Sequence, residues 1–283
     1  MNRIMSLLLI LVVPLIMHAN RASAMEDDYF SNATAKLADG DYQGAFEDYS
    51  KAIKLKSNYA EAYNGRATTR TGIGDHDGAI ADYTEAIKLK SKYAEAIYGR
   101  ANARFIYKHD YRGAIADYDT LLKLKPDTPL MISSVPLVRV YFSRAMARES
   151  ASEAMTDPKR RQREMDPAIA DVTTAIELFE ADPGGGVASR HDICGGCGPG
   201  NSESLEGAFV KRCMLKNNIG DSEGAIGDCT KAINLDPKDS LAWGFRALAR
   251  RKMGDMSGAV EDCAKTVSIS LYERQRICKG ILQ

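Results

Sequence analysis

Apolar and small residues recur along most of this chain at helical spacing, and the stripes come in pairs separated by short turns. Ala79, Tyr83, Ala86, Ile87 and Leu89 fall on one face of a helix, and Tyr63, Ala67 and Thr71 fall on one face of another just before it. Between them stand Gly74 and Asp75, a turn glycine and a residue suited to cap the second helix. The pattern predicts helical hairpins.

The hairpins repeat. Gly40 to Tyr49 is followed by Gly74 to Tyr83 at an offset of 34 residues, and Asp110 to Tyr118 follows at 35. Gly220 to Cys229 and Gly254 to Cys263 are again 34 apart, and Asp166 to Val172 reads as a degenerate copy between the two groups. Small pairs that would let two helix axes approach closely stand at Ala33/Ala45, Ala67/Ala79, Ala101/Ala114, Ala145/Ala168, Cys213/Ala225 and Ala247/Ala259. An aromatic residue opens most first helices (Tyr29, Tyr63, Tyr141, Phe209, Trp243), with Ile97 in its place in the third copy. A closing proline occurs at Pro126 and Pro237, whereas Ser57 and Ser91 stand there earlier. This layout resembles the tetratricopeptide repeat, a helix–turn–helix unit of about 34 residues. The resemblance implies an all-α fold, a right-handed superhelical solenoid of about six units, and a role in binding other proteins or peptides.

Several segments depart from the repeat. Residues 1–24 have a short basic start, an apolar run from Ile4 to Met17 and a small-x-small end at Ala22 to Ala24, the layout of a secretory signal. The run covers about 21 Å as a helix, short of the roughly 30 Å of a bilayer core. We expect cleavage after Ala24 and an exported protein, periplasmic or secreted, with no membrane-spanning segment afterwards. Units one to three are expected over 25–126 and a degenerate fourth unit over 127–181. A Gly/Cys-rich loop is expected over 182–204, and units five and six with a capping helix (Leu271 to Leu282) over 205–283. The fourth unit carries about 9 extra residues around Pro126 to Pro136 and 11 more that include Lys159 to Arg163, and the Gly-rich loop accounts for 23.

Composition narrows the function. Lys plus Arg and Asp plus Glu both number 38, so no global field favours nucleic acid, and 45% hydrophobic content suits a folded chain. No phosphate loop, nucleophile elbow or His-Glu-x-x-His pattern occurs, and we expect neither enzymatic activity nor a cofactor. His76 and His109 fall at turns and are expected to be solvated. His191, Cys194 and Cys197 are the chemically suggestive cluster, with a metal site or redox dithiol as alternatives to an incidental disulfide. Three ligands are too few for a usual zinc site, and a Gly-rich loop lacks the setting of a redox motif. Cys213 and Cys229 are read as buried thiols or as a disulfide, and six cysteines leave the connectivity open.

In the resembled family the first helices line a concave groove. By that correspondence Phe30, Asn64, Thr68, Tyr98, Asn102, Phe142 and Met146 face a partner peptide or helix. A carboxylate clamp known in chaperone-binding members is absent, because Phe30, Thr34, Gly65, Glu95 and Gly99 occupy its places. A charge pattern also repeats. Arg66, Arg100, Arg144, Arg212 and Arg246 precede the small residue of first helices, and Asp82, Asp117, Asp171, Asp228 and Asp262 follow that of second helices by three. Asp48 holds the same place in the first unit, which has Asn32 instead of Arg. Pairing within a unit or across units is open, with the in-unit arrangement preferred.

Overall fold

The computed structural model describes residues 25–124, 131–132, 134–181, 204–270 and 277–281. The expected signal and the loop bearing His191, Cys194 and Cys197 lie outside the described residues.

The chain divides into two compact units, one up to Leu124 and one from Lys125. In the first, three hairpins follow one another: α1 (25–38) with α2 (Tyr42–Leu55), α3 (Ala60–Gly72) with α4 (His76–Leu89), and α5 (Ala94–Ile106) with α6 (Tyr111–Leu122). The second unit opens with a small antiparallel pair, β1 (Met131–Ile132) and β2 (Val135–Pro136), in which Met131 faces Pro136. Its hairpins are α7 (Leu137–Glu153) with α8 (Pro158–Ala181), α9 (Leu205–Ile219) with α10 (Ser222–Leu235), and α11 (Ser240–Lys252) with α12 (Met256–Ile269). The architecture is all-α apart from that pair.

Local chemistry explains the hairpins. Asp41, Asp75, Asp110, Asp221 and Asp255 each cap a second helix by accepting a hydrogen bond from the amide of the glycine three residues on. A Cβ on Gly78 would lie 2.1 Å from Asp75 Oδ2, so the cap requires a glycine there. Gly74 turns the chain at φ +85°, a conformation open to glycine, whereas the third hairpin makes this turn with His109 at φ +53°. The twelve small residues of the six pairs are fully buried, at 0% exposure, so each hairpin closes on a contact between short side chains.

One insertion is corrected in character. The run Lys159 to Arg163 is exposed, but it forms the first turns of a 24-residue α8 that continues through Pro167. The proline removes one backbone donor without ending the helix, and its carbonyl accepts from Arg148 Nη1 at 3.1 Å. Of the capping helix expected over Leu271 to Leu282, the described part is 277–281, where two π-helical residues lead into a turn.

Candidate functional site

In the first unit the first helices present a repeated row of aromatic, amide and hydroxyl groups. Phe30 is half-buried and stacks on Tyr59 with ring centroids 5.0 Å apart. Thr34 and Thr68 are exposed, and their hydroxyls lie 3.1 Å from Tyr49 and 3.2 Å from Tyr83. At the equivalent place in the third hairpin Tyr118 donates to Asn102 Oδ1 at 2.5 Å. Asn64 Oδ1 is buried and has no hydrogen-bond partner among the described residues. The tyrosines reach this row because the next first helix is glycine where they cross it: a Cβ on Gly65 would lie 2.3 Å from Tyr49 Cζ, and one on Gly99 2.5 Å from Tyr83 Cζ.

One edge of this face is acidic. Burial, with Asp27 and Glu61 adding their charge, pushes the Tyr59 phenol up to about 12. Tyr93 is raised in the same way by burial and then by Glu61 and Glu95. Lys56 and Lys90 answer part of this charge, Lys56 with Glu26 at 3.0 Å and Lys90 with Glu61 at 3.5 Å.

Behind the face runs the charge network. Arg66 donates to both carboxylate oxygens of Asp82 at 2.8 Å, and Arg100, Arg144, Arg212 and Arg246 make the same two-point contact with Asp117, Asp171, Asp228 and Asp262. Each pairing is therefore within a hairpin. A second cation four residues along the first helix meets the same carboxylate: Arg70, Arg104, Arg148, Lys216 and Arg250. The first hairpin has no such Arg, and Lys36 and Lys51 hold Asp48 instead. Burial raises the Asp48 carboxyl, but hydrogen bonds from the two lysines outweigh it and leave the carboxyl below the ordinary range.

The same arginines also reach the preceding hairpin, a contact that the sequence reading missed. Arg66, Arg100, Arg212 and Arg246 donate from Nη1 to Ser50, Thr84, Thr173 and Thr230 at 3.1–3.3 Å. The signal was present as a hydroxyl two residues after Asp48, Asp82, Asp171 and Asp228, with Asp119 and Ala264 at that place after Asp117 and Asp262.

In the second unit Cys213 is bonded to Cys229, joining α9 to α10, and Cys263 to Cys278, joining α12 to the turn 277–281. The alternative of free buried thiols at Cys213 and Cys229 gives way to the first of these bonds.

Residues 30–94 match the tetratricopeptide-repeat family. The chain has a tetratricopeptide-repeat (TPR) fold. Three solved TPR structures resemble it. One, from Parabacteroides merdae, is 16% identical with TM-score 0.60, over 87% of this chain and 80% of that one. YrrB, described as a TPR protein with an unusual peptide-binding site, is 17% identical with TM-score 0.55, over 78% and 92%. PilW, a type IV pilus biogenesis factor, is 14% identical with TM-score 0.56, over 86% and 92%. At these identities the likeness is one of fold alone. No curated protein matches the chain in sequence.

Placed on the TPR fold, the expected groove residues fall in both units. Phe30, Asn64, Thr68, Tyr98 and Asn102 belong to the first unit, and Phe142 and Met146 to the second. Phe142 is a correction: it is 4% exposed and packs with Val138, Met165 and Val172 in the second unit's core, leaving no surface for a partner. His76 is a second correction. Its ring lies half-buried and stacked on Tyr107 at 3.7 Å, with Nδ1 buried and without a hydrogen-bond partner among the described residues. His109 is exposed.

Proposed function

We propose that this TPR protein is an exported, non-enzymatic scaffold whose first unit holds an extended peptide or a partner helix against α1, α3 and α5. The observation that carries the reading is the row Phe30, Asn64, Thr68, Tyr98 and Asn102, which recurs on three successive first helices and is left out of the buried core. Aromatic rings offer contact area at low entropic cost, and amides and hydroxyls match the donors and acceptors of a peptide backbone. The buried, unpartnered Asn64 Oδ1 adds an acceptor awaiting a donor. YrrB's description as a peptide binder with this fold supports the same reading.

Export is supported by the two disulfides, since such bonds persist in oxidising compartments and are rare in the cytosol. No helix among the described residues is long and apolar enough to cross a membrane. N-terminal sequencing of protein from its native compartment tests this, and a start near Met25 is expected.

Selection of a peptide from a displayed random library on residues 25–283 tests the binding face. The selected peptide should lose about tenfold in affinity, or roughly 1.4 kcal/mol, on Asn64→Ala or Tyr98→Ala. Met146→Ala, in the other unit, should leave it unchanged. Equal binding by all three variants would remove the face from consideration.

A further inference from the structure

We propose that the Cys263–Cys278 disulfide is a redox latch that holds the turn 277–281 over the end of the last repeat and releases it on reduction, while Cys213–Cys229 stays closed. The two bonds differ in what must move before a reductant reaches sulfur. Cys213 and Cys229 are both at 0% exposure in the interiors of α9 and α10, helices of 15 and 14 residues. Helix α8 packs on α9 and α11 packs on α10, and Phe245 lies against the bond. Opening that bond means parting helices held on both sides. Cys263 and Cys278 are equally buried, but Cys278 is the last of two described π-helical residues, and the turn that follows it begins with exposed Lys279 and Gly280.

The turn lies against the face of α11 that bears Gly244. Ile277 Cδ1 lies 3.0 Å from where a Cβ on Gly244 would be, and Gly244 stands three residues before Ala247 as Phe30 stands before Ala33. Ile277 and Ile281 bury against Leu241, Phe245 and Leu248, and Arg251 Nη1 donates to the Gly280 carbonyl at 3.1 Å. Among the described residues, two isoleucines and one exposed hydrogen bond hold the turn besides the disulfide. Such a segment opens locally at lower free energy than a helix pair in a stack. An external dithiol supplies the electrons. Its thiolate attacks one sulfur to give a mixed disulfide, its second thiol closes on that, and two cysteine thiols and one oxidised dithiol result. Release of the turn then uncovers the apolar side of α11.

The test is the full mature protein in dithiothreitol, sampled over time by alkylation and peptide mass spectrometry. Cys263 and Cys278 should be modified about tenfold sooner than Cys213 and Cys229 or more, the ratio given by about 1.4 kcal/mol between the two openings. Amide exchange should rise over 241–248 and 277–281 and stay low over 205–235. Simultaneous reduction of both bonds, or earlier reduction of Cys213–Cys229, overturns the proposal. Cys278→Ser without reductant should reproduce the exchange of the reduced protein, and unchanged protection of 241–248 also overturns it. If that variant fails to fold, the reduction order in the unaltered protein decides.

Discussion

The fourth residue after the small one in each second helix separates the two units. In the first unit it is Tyr49, Tyr83 and Tyr118, and in the second it is Val172, Cys229 and Cys263. Each tyrosine followed by a further hairpin in its unit projects onto a first helix that carries glycine, Gly65 or Gly99, beneath the ring. Where Cys229 takes the tyrosine's place, the following first helix carries Phe245 where Gly65 and Gly99 stood, and that ring packs on the disulfide. Volume is conserved across the contact although its chemistry changes, as close-packed interiors demand. The first unit joins its hairpins by ring-on-glycine contacts and arginine–hydroxyl hydrogen bonds, and the second adds covalent bonds, one inside the α9–α10 hairpin and one from α12 to 277–281.

Breaking the covalent side should have the largest effect. Cys213→Ala/Cys229→Ala removes a link closing a loop of 16 residues and should cost about 3 kcal/mol, seen as a lower urea midpoint for the second unit only. Shape is tested next by Gly65→Ala, whose methyl meets the Tyr49 ring and should cost about 1–3 kcal/mol, with part of the loss recovered in Gly65→Ala/Tyr49→Leu. If the single variant melts with the unaltered protein, the glycine is not shaped to the ring.

Charge, shared by both units, should be a smaller term. Asp82→Ala leaves Arg66 without a carboxylate and Arg70 with Asp75 alone, and a double-mutant cycle with Arg66→Ala should show coupling of about 0.5–3 kcal/mol. The same cycle at Arg212 and Asp228 should give a similar value, and additivity at both sites would mean that the regular pairing serves something other than stability. Smallest of all, Thr84→Val removes the hydroxyl that accepts from Arg100 and should cost about 0.5–1.5 kcal/mol in thermal unfolding.

Much of this fold was legible because five of the six hairpins state their own rules: a capping Asp, a glycine three residues later, and small residues where helices touch. The in-unit charge pairs were also within reach, since antiparallel helices bring Arg66 level with Asp82. Other parts were hidden for physical reasons. Two-residue strands at Met131 and Val135 have no periodicity to detect. Asp166 and Pro167 imitate a turn, yet the helix-forming run before them carries α8 through the proline. The hydroxyl contacts lie between hairpins, where a reading within one repeat does not look. Phe142 was assigned by position to a surface that the longer α7–α8 hairpin buries. For the face proposed to bind a peptide, sequence offers the residue types and the structure adds the tyrosine hydroxyls and the Asn64 acceptor.

The closure of the charge network within single hairpins bears on how such a chain can grow. A 34-residue piece that carries Arg66, Arg70 and Asp82 brings its own complete set of ions. Duplicating or deleting it orphans no buried carboxylate in its neighbours and touches only the exposed Lys108–Asp77 pair. All that a new junction needs is a hydroxyl on one side and, where a tyrosine projects, a glycine on the other. Lengthening by whole repeats is therefore electrostatically neutral, and an insertion that splits a hairpin, as in the fourth, must keep Arg144 and Asp171 together across the longer turn.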